Sequence, residues 1–219
     1  MSKVTAILVA AGSSQRMGFD KLAALIDCKS VLSRTLDAFL ACDAVSEVLI
    51  VCPPERFALL DETTFTKPVR SVGGGSARHL SVANGLAAVS PDAELIAIHD
   101  AARPLVSQAD ILATIAAAKE NGAASLARRV TETLKRSDES DFTTTSVPRE
   151  NLWFMETPQI FQADLIRAAY AHILESDIKV TDETSAIEAY GEKVKLVPST
   201  SPNPKITTPA DLVAIHSGK

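Results

Sequence analysis

The feature that most constrains the fold is an alternation of short apolar runs with segments of helical periodicity. The run from Val4 to Val9 is typical of a strand that is buried on both faces of a sheet. Further strands are predicted at 47–52, 69–72, 94–99, 123–126 and 194–197, and helices at 30–40, 77–89, 163–174, 182–190 and 209–216, with another from Ser107 to about Lys119. The alternation predicts an α/β fold, with a mostly parallel twisted sheet and helices on both faces.

Length, charge and cysteine content narrow the class of protein. The 219 residues fit one domain, which we expect to span 1–219. A general nucleic-acid binder usually carries a basic excess, whereas the formal net charge here is −5. Three cysteines without a C-x-x-C pair indicate reduced thiols rather than a zinc site or a disulfide framework. The apolar segments are too short for a signal peptide or a membrane span, so we expect a cytoplasmic protein with no membrane partner.

The alternation breaks in residues 131–153. Residues 136–145 are polar and short of large hydrophobic side chains, and strand-like stretches flank them. A disordered loop would fit this composition, but the flanks favour a β-arm that projects from the domain. Because an arm that cannot bury itself is often used in assembly, the segment predicts a homodimer.

Three loops are expected to meet at one edge of the sheet, because ligands of such sheets bind beyond the carboxyl ends of the strands. These loops are 10–21, 73–81 and 99–104. In the first, the backbone around Gly12 can bind phosphate oxygens, and Arg16 and Lys21 add positive charge. The loop matches neither the P-loop spacing nor the dinucleotide-binding glycine spacing. A surface turn with solvated charges remains an alternative.

The second loop contains Gly73-Gly74-Gly75 before a predicted helix. Three glycines allow the backbone to approach a flat or anionic ligand, and Ser81 can hydrogen-bond the edge of a base. The alternative is a tight turn between a strand and a helix.

The third loop places a carboxylate and a guanidinium, Asp100 and Arg103, at the carboxyl end of a predicted strand. Asp100 could contact a ribose hydroxyl, a substrate hydroxyl or magnesium, or it could form a structural ion pair with Arg103. We interpret His99 as a packed residue at the strand end rather than as a general base. Further along, Thr181 or Asp182 could cap the next predicted helix.

Seven segments together resemble the 2-C-methyl-D-erythritol 4-phosphate cytidylyltransferase family. They occur in the family's order between Ala10 and Leu212, and they read AAGSSQRMG with Lys21, GGGSARHLSV, HDAARP, VTETLKR, TPQIF, VTDETSAIE and PKITTPADL. The resemblance implies a Rossmann-like nucleotidyltransferase fold with a β-arm used for dimerisation. It also implies transfer of the cytidylyl group of CTP to 2-C-methyl-D-erythritol 4-phosphate, with release of pyrophosphate.

The resemblance assigns roles by position. The catalytic set is Arg16, Lys21, Arg149 and Lys205. The nucleotide-binding set is Ala10, Ala11, Gly12, Ser13, Gly74, Gly75, Ser76, Ser81, Asp100 and Ala101. The substrate-binding set is Asp100, Arg103, Thr133, Arg149, Thr157, Thr181 and Lys205. In the family the arm crosses to the partner subunit, so Arg149 is expected to contribute to the substrate site of that partner.

Magnesium is the expected cofactor, held mainly by the triphosphate of CTP and not by dedicated protein ligands. Arg149 and Lys205 are the cations best placed for a second phosphate, although each alone could be a solvated surface charge. The nearest alternative function is a ribitol-5-phosphate cytidylyltransferase. An alternative of another class is a non-catalytic nucleotide-binding protein. A dinucleotide-dependent oxidoreductase is disfavoured, because this sequence lacks the glycine spacing that such enzymes require.

Overall fold

The computed structural model of the chain describes residues 3–12 and 18–216. The strands are β1 (Val4–Val9), β2 (Leu25–Ile26), β3 (Lys29–Ser30), β4 (Val45–Val51), β5 (Val69–Val72), β6 (Leu95–Asp100), β7 (Ala123–Arg129), β8 (Leu134–Ser137), β9 (Thr143–Val147), β10 (Trp153–Gln162) and β11 (Lys195–Pro198). The helices are α1 (Val31–Leu40), α2 (Pro54–Phe57), α3 (Arg78–Ala88), α4 (Gln108–Asn121), α5 (Ala163–Glu175), α6 (Glu183–Ala189) and α7 (Pro209–His216), and a short 3-10 helix spans Glu62–Thr64.

Seven strands form the central sheet, in the order β11-β7-β10-β6-β1-β4-β5. β1 pairs in parallel with β4 and β6, and the pairs β4–β5 and β7–β11 are also parallel. Only β10 among these strands runs antiparallel, against both β6 and β7. The prediction of an α/β fold with a mostly parallel sheet is therefore confirmed, with one reversed strand near the middle.

Strand β10 was not among the predicted strands, because its sequence breaks the apolar pattern. Glu156, Thr157, Pro158 and Gln159 occupy its centre, and proline cannot donate a hydrogen bond to a neighbouring strand. The register with β7 shifts between Met155 and Gln159, which is where these residues lie. The polar side chains are nevertheless buried, since the strand sits between β6 and β7.

Side chains of the sheet alternate between two cores, one on each face. In β1, Ala6 and Leu8 join the first core, and Ile7 joins the second. The first core is completed by side chains of α1 and α4, among them Leu32, Leu36, Phe39, Ile111 and Ile115. The second is completed by side chains of α3, α5 and α6, among them Val82, Leu86, Ile166, Tyr170 and Ile187. Helices therefore cover both faces, as the sequence pattern predicts.

Side-chain caps fix where three helices begin. The hydroxyls of Ser30 and Ser107 accept hydrogen bonds from Ser33 N–H and Asp110 N–H at the starts of α1 and α4. Asp182 caps α6 in the same way through Ser185 N–H. Both Ser107 and Asp182 thus have the capping role that their sequence positions suggest.

Residues 131–150 form a two-stranded hairpin of β8 and β9, which is separate from the seven-stranded sheet. Its side chains are mostly exposed, including Phe142, whose exposed fraction is 72%. At the base of the hairpin, Arg128 stacks on Phe154 and Arg129 on Trp153, with the guanidinium carbon 4.5 Å and 4.3 Å from the ring centres. The predicted break in the alternation is therefore an exposed β-hairpin with a defined base.

The three cysteines all lie in the described residues and are unpaired, with Cys28 exposed and the other two buried. Among the helices of the described residues, none has the length and apolar character that crossing a bilayer requires.

Candidate functional site

The first of two adjoining cavities lies where the three predicted loops meet, and its volume is about 390 Å³. It is lined by Val9, Ala10, Ala11, Gly12, Lys21, Leu22, Gly75, Ser76, Ala77, Arg78, Ser81, Asp100, Ala102 and Lys205. β1, β5 and β6 are parallel, so their carboxyl ends lie at one edge of the sheet. The expected convergence of the three loops is therefore confirmed.

Close backbone packing builds the wall of this cavity. A Cβ atom on Gly74 would lie 2.5 Å from Ala11 Cβ, and one on Gly75 would lie 2.6 Å from Leu80 Cβ. Glycine is required at both positions, because a side chain on Gly74 would push the first and second loops apart and one on Gly75 would clash with Leu80 within the second loop. Ser81 secures the turn, since its hydroxyl accepts from Gly75 N–H at 3.0 Å and donates to Ala77 O at 3.1 Å. The alternative of a tight strand-to-helix turn thus describes the local structure, and that turn forms the cavity wall.

The second cavity has a volume of about 400 Å³ and polar side chains. It is lined by Arg78, Asp100, Arg103, Met155, Glu156, Thr157, Gln159, Thr181, Asp182, Thr184, Ser185, Glu188 and Lys205. Most of these residues come from β10 and from the start of α6. Gln159 joins the two elements, because its Oε1 accepts from Glu183 N–H and its Nε2 donates to Asp182 at 2.9 Å.

Arg78, Asp100 and Lys205 line both cavities and form the boundary between them. Lys205 Nζ lies 2.8 Å from Asp100 Oδ2, and Arg78 Nη2 lies 3.2 Å from Asp100 Oδ1. Burial alone would raise the pKa of Asp100, but these two cations and Arg103 lower it well below its ordinary range. Asp100 is therefore a fixed carboxylate that orients cations at the boundary.

Behind this boundary, Arg78 is held by a carboxylate that is completely buried. Arg78 binds Glu183 through two hydrogen bonds of 2.6 and 3.0 Å, and Tyr170 donates to the same carboxylate at 3.0 Å. Burial opposes the charge of Arg78, but Glu183 and Asp100 raise its pKa above the ordinary value. Arg78 and Glu183 were not among the predicted site residues, although they lie in the segments GGGSARHLSV and VTDETSAIE. The sequence places Arg78 within the second loop and Glu183 two residues after Thr181, but it gives no sign that the two side chains pair.

A chain of hydrogen bonds shapes the loop after β6. Asp100 N–H donates to Thr157 Oγ1 at 3.1 Å, that hydroxyl lies 3.0 Å from His99 Nδ1, and His99 Nε2 lies 3.1 Å from Arg103 O. A carbonyl only accepts, so His99 carries its proton on Nε2 and accepts from Thr157 at Nδ1. Burial lowers the pKa of His99 to about 4, which keeps the ring neutral. The packed interpretation of His99 is thus confirmed.

Arg103 lies in the second cavity, although its guanidinium is largely engaged by protein atoms. It donates to Asn203 O at 2.7 Å, and its Nε lies 3.6 Å from Asp100 Oδ2. The interpretation of Asp100 and Arg103 as an ion pair therefore holds, within a larger network that also includes Arg78 and Lys205.

The segment that carries Lys205 is anchored at several points. Thr200 donates through its N–H and its hydroxyl to Asp110, at 2.9 and 2.8 Å. Asn203 donates to Thr157 O at 2.9 Å, and Ile206 N–H donates to Ala102 O at 2.9 Å. Lys21 Nζ donates to Ile206 O at 2.8 Å, so the first loop is tied to the same segment. These anchors explain how a residue so late in the chain reaches the sheet edge.

The predicted site residues fall into four groups. Lys21, Lys205, Asp100, Arg103, Thr157, Thr181 and most of the nucleotide set line one or both cavities. Gly74 packs behind the wall, and Ala101 is fully buried beneath it. Within the single chain, over the residues that the structure describes, Thr133 and Arg149 line neither cavity and are exposed on the hairpin side. Ser13 and Arg16 lie outside the described residues.

The described residues contain no group of three or more His, Cys, Asp or Glu side chains that could hold a metal ion. Asp100 is the carboxylate of the first cavity, and it already contacts Lys205 and Arg78. An ion that keeps several waters and binds phosphate oxygens fits this donor set, whereas an ion caged by protein does not.

Comparison with known proteins identifies the family. The model of the IspD family, 2-C-methyl-D-erythritol 4-phosphate cytidylyltransferase, matches residues 4–217. A protein of that name from Caldanaerobacter subterraneus subsp. tengcongensis is 39% identical over 96% of both chains, and one from Alkaliphilus oremlandii is 37% identical over 97% of this chain and 93% of its own. The crystal structure of 4-diphosphocytidyl-2C-methyl-D-erythritol synthase from Anaerococcus prevotii superposes with a TM-score of 0.87 at 31% identity, covering 99% of this chain and 98% of that one. The chain belongs to the 2-C-methyl-D-erythritol 4-phosphate cytidylyltransferase family.

Proposed function

We propose that the chain transfers the cytidylyl group of CTP to 2-C-methyl-D-erythritol 4-phosphate. The products are 4-diphosphocytidyl-2-C-methyl-D-erythritol and pyrophosphate, in the biosynthesis of isoprenoid precursors. The observation that carries the proposal is the pair of adjoining cavities that share Arg78, Asp100 and Lys205. A reaction that joins two phosphorylated substrates needs two sites with a cationic boundary, and family membership supplies the identity of the substrates.

The reaction is an in-line displacement at the α-phosphorus of CTP. A phosphate oxygen of the polyol phosphate forms the new P–O bond while the bond to the leaving pyrophosphate breaks. A phosphate monoester is already an anionic nucleophile near neutral pH, so the step requires no general base. The barrier arises mainly from bringing two anions together, so the protein acts through position and charge.

The two substrates are assigned to different cavities. We assign the nucleotide to the first cavity, with the cytidine against the backbone wall and the triphosphate beside Lys21. The polyol phosphate is assigned to the second cavity, beside Thr181 and Arg103. Lys205 contacts both spaces, so it is placed to hold the attacking phosphate next to the α-phosphate. Arg16 remains a predicted contributor on the triphosphate side.

The proposed cofactor is magnesium, which would be held mainly by the triphosphate of CTP and would supply neutralisation of its charge. Asp100 is the carboxylate that lines the first cavity, but its contacts with Lys205 and Arg78 assign it mainly to orienting cations. The protein is proposed to work in the cytoplasm, in keeping with its unpaired cysteines.

The test is pyrophosphate release by the purified chain with CTP, magnesium and 2-C-methyl-D-erythritol 4-phosphate. Parallel reactions contain ribitol 5-phosphate or no polyol phosphate. Release with the methylerythritol substrate alone supports the proposal. Preference for ribitol 5-phosphate would contradict the substrate assignment, and CTP binding without release from either polyol phosphate would indicate a non-catalytic nucleotide-binding protein.

The hairpin of β8 and β9 is proposed to form a homodimer in which Thr133 and Arg149 complete the partner's second cavity. The exposed hairpin and the 72% exposed Phe142 at its turn support this assignment, because burial of this apolar side chain in a dimer interface would be energetically favourable. Arg149 binds Thr131 O at the base of the hairpin, so its guanidinium lies away from the cavities of its own chain.

Subunit complementation tests this dimer. We expect an Arg149→Ala chain and a Lys205→Ala chain each to be weakly active, and a mixture that exchanges subunits to recover activity. In a mixed dimer, one site combines an intact Lys205 with an intact Arg149 from the other chain. A purely monomeric chain in solution, or mixed dimers without recovery, would contradict the proposal.

A further inference from the structure

Arg56 is a buried basic residue that the reaction described above does not use. It lies on α2, just after β4, and the exposed fraction of its side chain is 10%. Its guanidinium Nη1 donates to the carbonyl oxygens of Ala10 and of Gly12, the latter at 3.3 Å, and its Nε donates to Asp20 Oδ2 at 3.0 Å. All three acceptors belong to the described flanks of the first loop.

Asp20 extends these contacts towards Lys21. Its second carboxylate oxygen accepts from Leu22 N–H at 3.0 Å, and its carbonyl accepts from Ala23 N–H at 3.1 Å. These bonds define the turn in which Lys21 lies. One guanidinium therefore connects the turn of Lys21 with the wall formed by Ala10 and Gly12.

The chemistry of arginine suits this connection. Its planar guanidinium can donate to two backbone carbonyls and a carboxylate at once, whereas lysine carries its charge on a single ammonium group at the end of a flexible chain. Ala10, Gly12 and Lys21 all line the first cavity, while Arg56 itself does not. Arg56 therefore acts on the cavity through the groups that it holds.

We propose that Arg56 is a positioning residue for the nucleotide: it fixes the Ala10–Gly12 wall and the Lys21 turn in the arrangement that binds CTP. The proposal rests on the assignment of the nucleotide to the first cavity. It assigns Arg56 no contact with the polyol phosphate, since the second cavity is built from other elements.

The experiment compares Arg56→Gln, Arg56→Lys, Asp20→Asn and the Arg56→Gln/Asp20→Asn double variant with the wild type. Arg70→Gln is the matched control, because Arg70 also binds a carboxylate and a carbonyl, those of Glu47 and Ala88, but lines neither cavity. CTP affinity is measured by calorimetry, and kcat and KM are measured for each substrate. Thermal unfolding records the stability of every variant.

We expect Arg56→Gln to lower kcat/KM for CTP by about 10- to 100-fold, as displacement of reacting groups does. The KM for the polyol phosphate at saturating CTP should stay at the wild-type value. Asp20→Asn should show a smaller loss, Arg56→Lys should recover part of it, and the double variant should resemble Arg56→Gln because both changes interrupt one connection. Arg70→Gln should leave all constants unchanged.

Wild-type affinity and kinetics for CTP in folded Arg56→Lys and Asp20→Asn would overturn the proposal, and these milder variants decide the matter if Arg56→Gln does not fold. Losses that affect both substrates equally, in step with thermal stability, would also overturn it by showing a general structural role. If the wild type itself did not bind CTP, the proposed function would fail first. If the wild type bound CTP and the variants bound it equally well, only the role of Arg56 would fail.

Discussion

The two adjoining cavities are built in different ways. The first is formed largely by backbone and small side chains at the ends of parallel strands, and the second by polar side chains of β10 and α6. The first therefore depends on the local shape of two loops, as the close approach of Gly74 to Ala11 shows. The second depends on Gln159 of the reversed strand, which is hydrogen-bonded to the Asp182 side chain and to the Glu183 N–H at the start of α6. The difference predicts that substitutions can damage one cavity while sparing the other, except at the shared boundary.

Lys205→Ala should have the largest effect, because Lys205 contacts both cavities. We expect kcat/KM for CTP and for the polyol phosphate to fall by about 10²- to 10³-fold, as after loss of a transition-state donor. Initial rates of pyrophosphate release with each substrate varied would measure this. Lys195→Ala, which removes an exposed lysine of β11, is the control. A loss confined to one substrate would show that the boundary is not shared.

Lys21→Ala should impair the first cavity and leave the second intact. We expect turnover at saturating CTP to fall by a factor on the order of 10² or more, since Lys21 lies in the first cavity only. Binding of the polyol phosphate, measured directly by calorimetry, should be retained. Unchanged turnover at saturating CTP would remove Lys21 from the catalytic set.

The neutral state of His99 predicts that acid destabilises the folded chain. The pKa of His99 is about 4 in the folded chain, below its ordinary value of 6.5. Between these values the unfolded chain binds a proton and the folded chain does not, so stability decreases as pH falls from 6.5 towards 4. The loss from this residue is about 3 kcal/mol at the acid end of the window.

Urea denaturation at several pH values, for the wild type and His99→Asn, measures that contribution. The variant should lose less stability than the wild type between pH 6.5 and 4. Parallel curves for the two proteins would contradict the assignment of a neutral, buried imidazole.

Glu183→Gln should weaken both substrate sites by a smaller factor. The change removes the charge that holds Arg78 while keeping the shape of the side chain, so Arg78 and Asp100 lose their fixed arrangement. We expect kcat/KM for both substrates to fall by about tenfold, since a charge-assisted hydrogen bond is weakened. Tyr170→Phe, which removes one hydrogen bond to Glu183, should produce a milder loss of the same kind. Effects on one substrate alone would contradict a shared boundary.

Thr181→Val should have the smallest effect and should act on the second cavity only. It removes a hydroxyl from the lining, so the KM of the polyol phosphate should rise by a few-fold, as loss of one hydrogen bond produces. The KM for CTP should stay unchanged. A matching rise in the KM for CTP would show that Thr181 does not belong to the polyol side.

The contrast between the cavities also explains how much could be predicted from the sequence. The first cavity was predictable because Gly12 follows the buried apolar strand β1, Gly75 follows the short strand β5, and parallel topology brings their loops together. Asp100 was predictable for the same reason, as it ends β6. The α/β class followed from the same alternation of strands and helices.

Apart from Asp100 and Arg103, the side chains of the second cavity were assigned to the substrate through the family resemblance. Strand β10 carries Glu156, Thr157 and Gln159 in its centre, and no apolar period reveals such a strand. The buried pair of Arg78 and Glu183 was missed because its partners are 105 positions apart and meet only through tertiary packing. Buried charges are rare, so a local pattern gives no reason to pair them.

The account depends on one nucleotide and one polyol phosphate occupying neighbouring cavities that share Asp100 and Lys205. A crystal structure with CTP, magnesium and 2-C-methyl-D-erythritol 4-phosphate, or an unreactive CTP analogue, tests this directly. The account predicts the cytidine against Ala10–Gly12 and Gly75–Ser81, and the attacking phosphate beside Lys205. A nucleotide bound away from this sheet edge, or both substrates separated from Lys205, would contradict it.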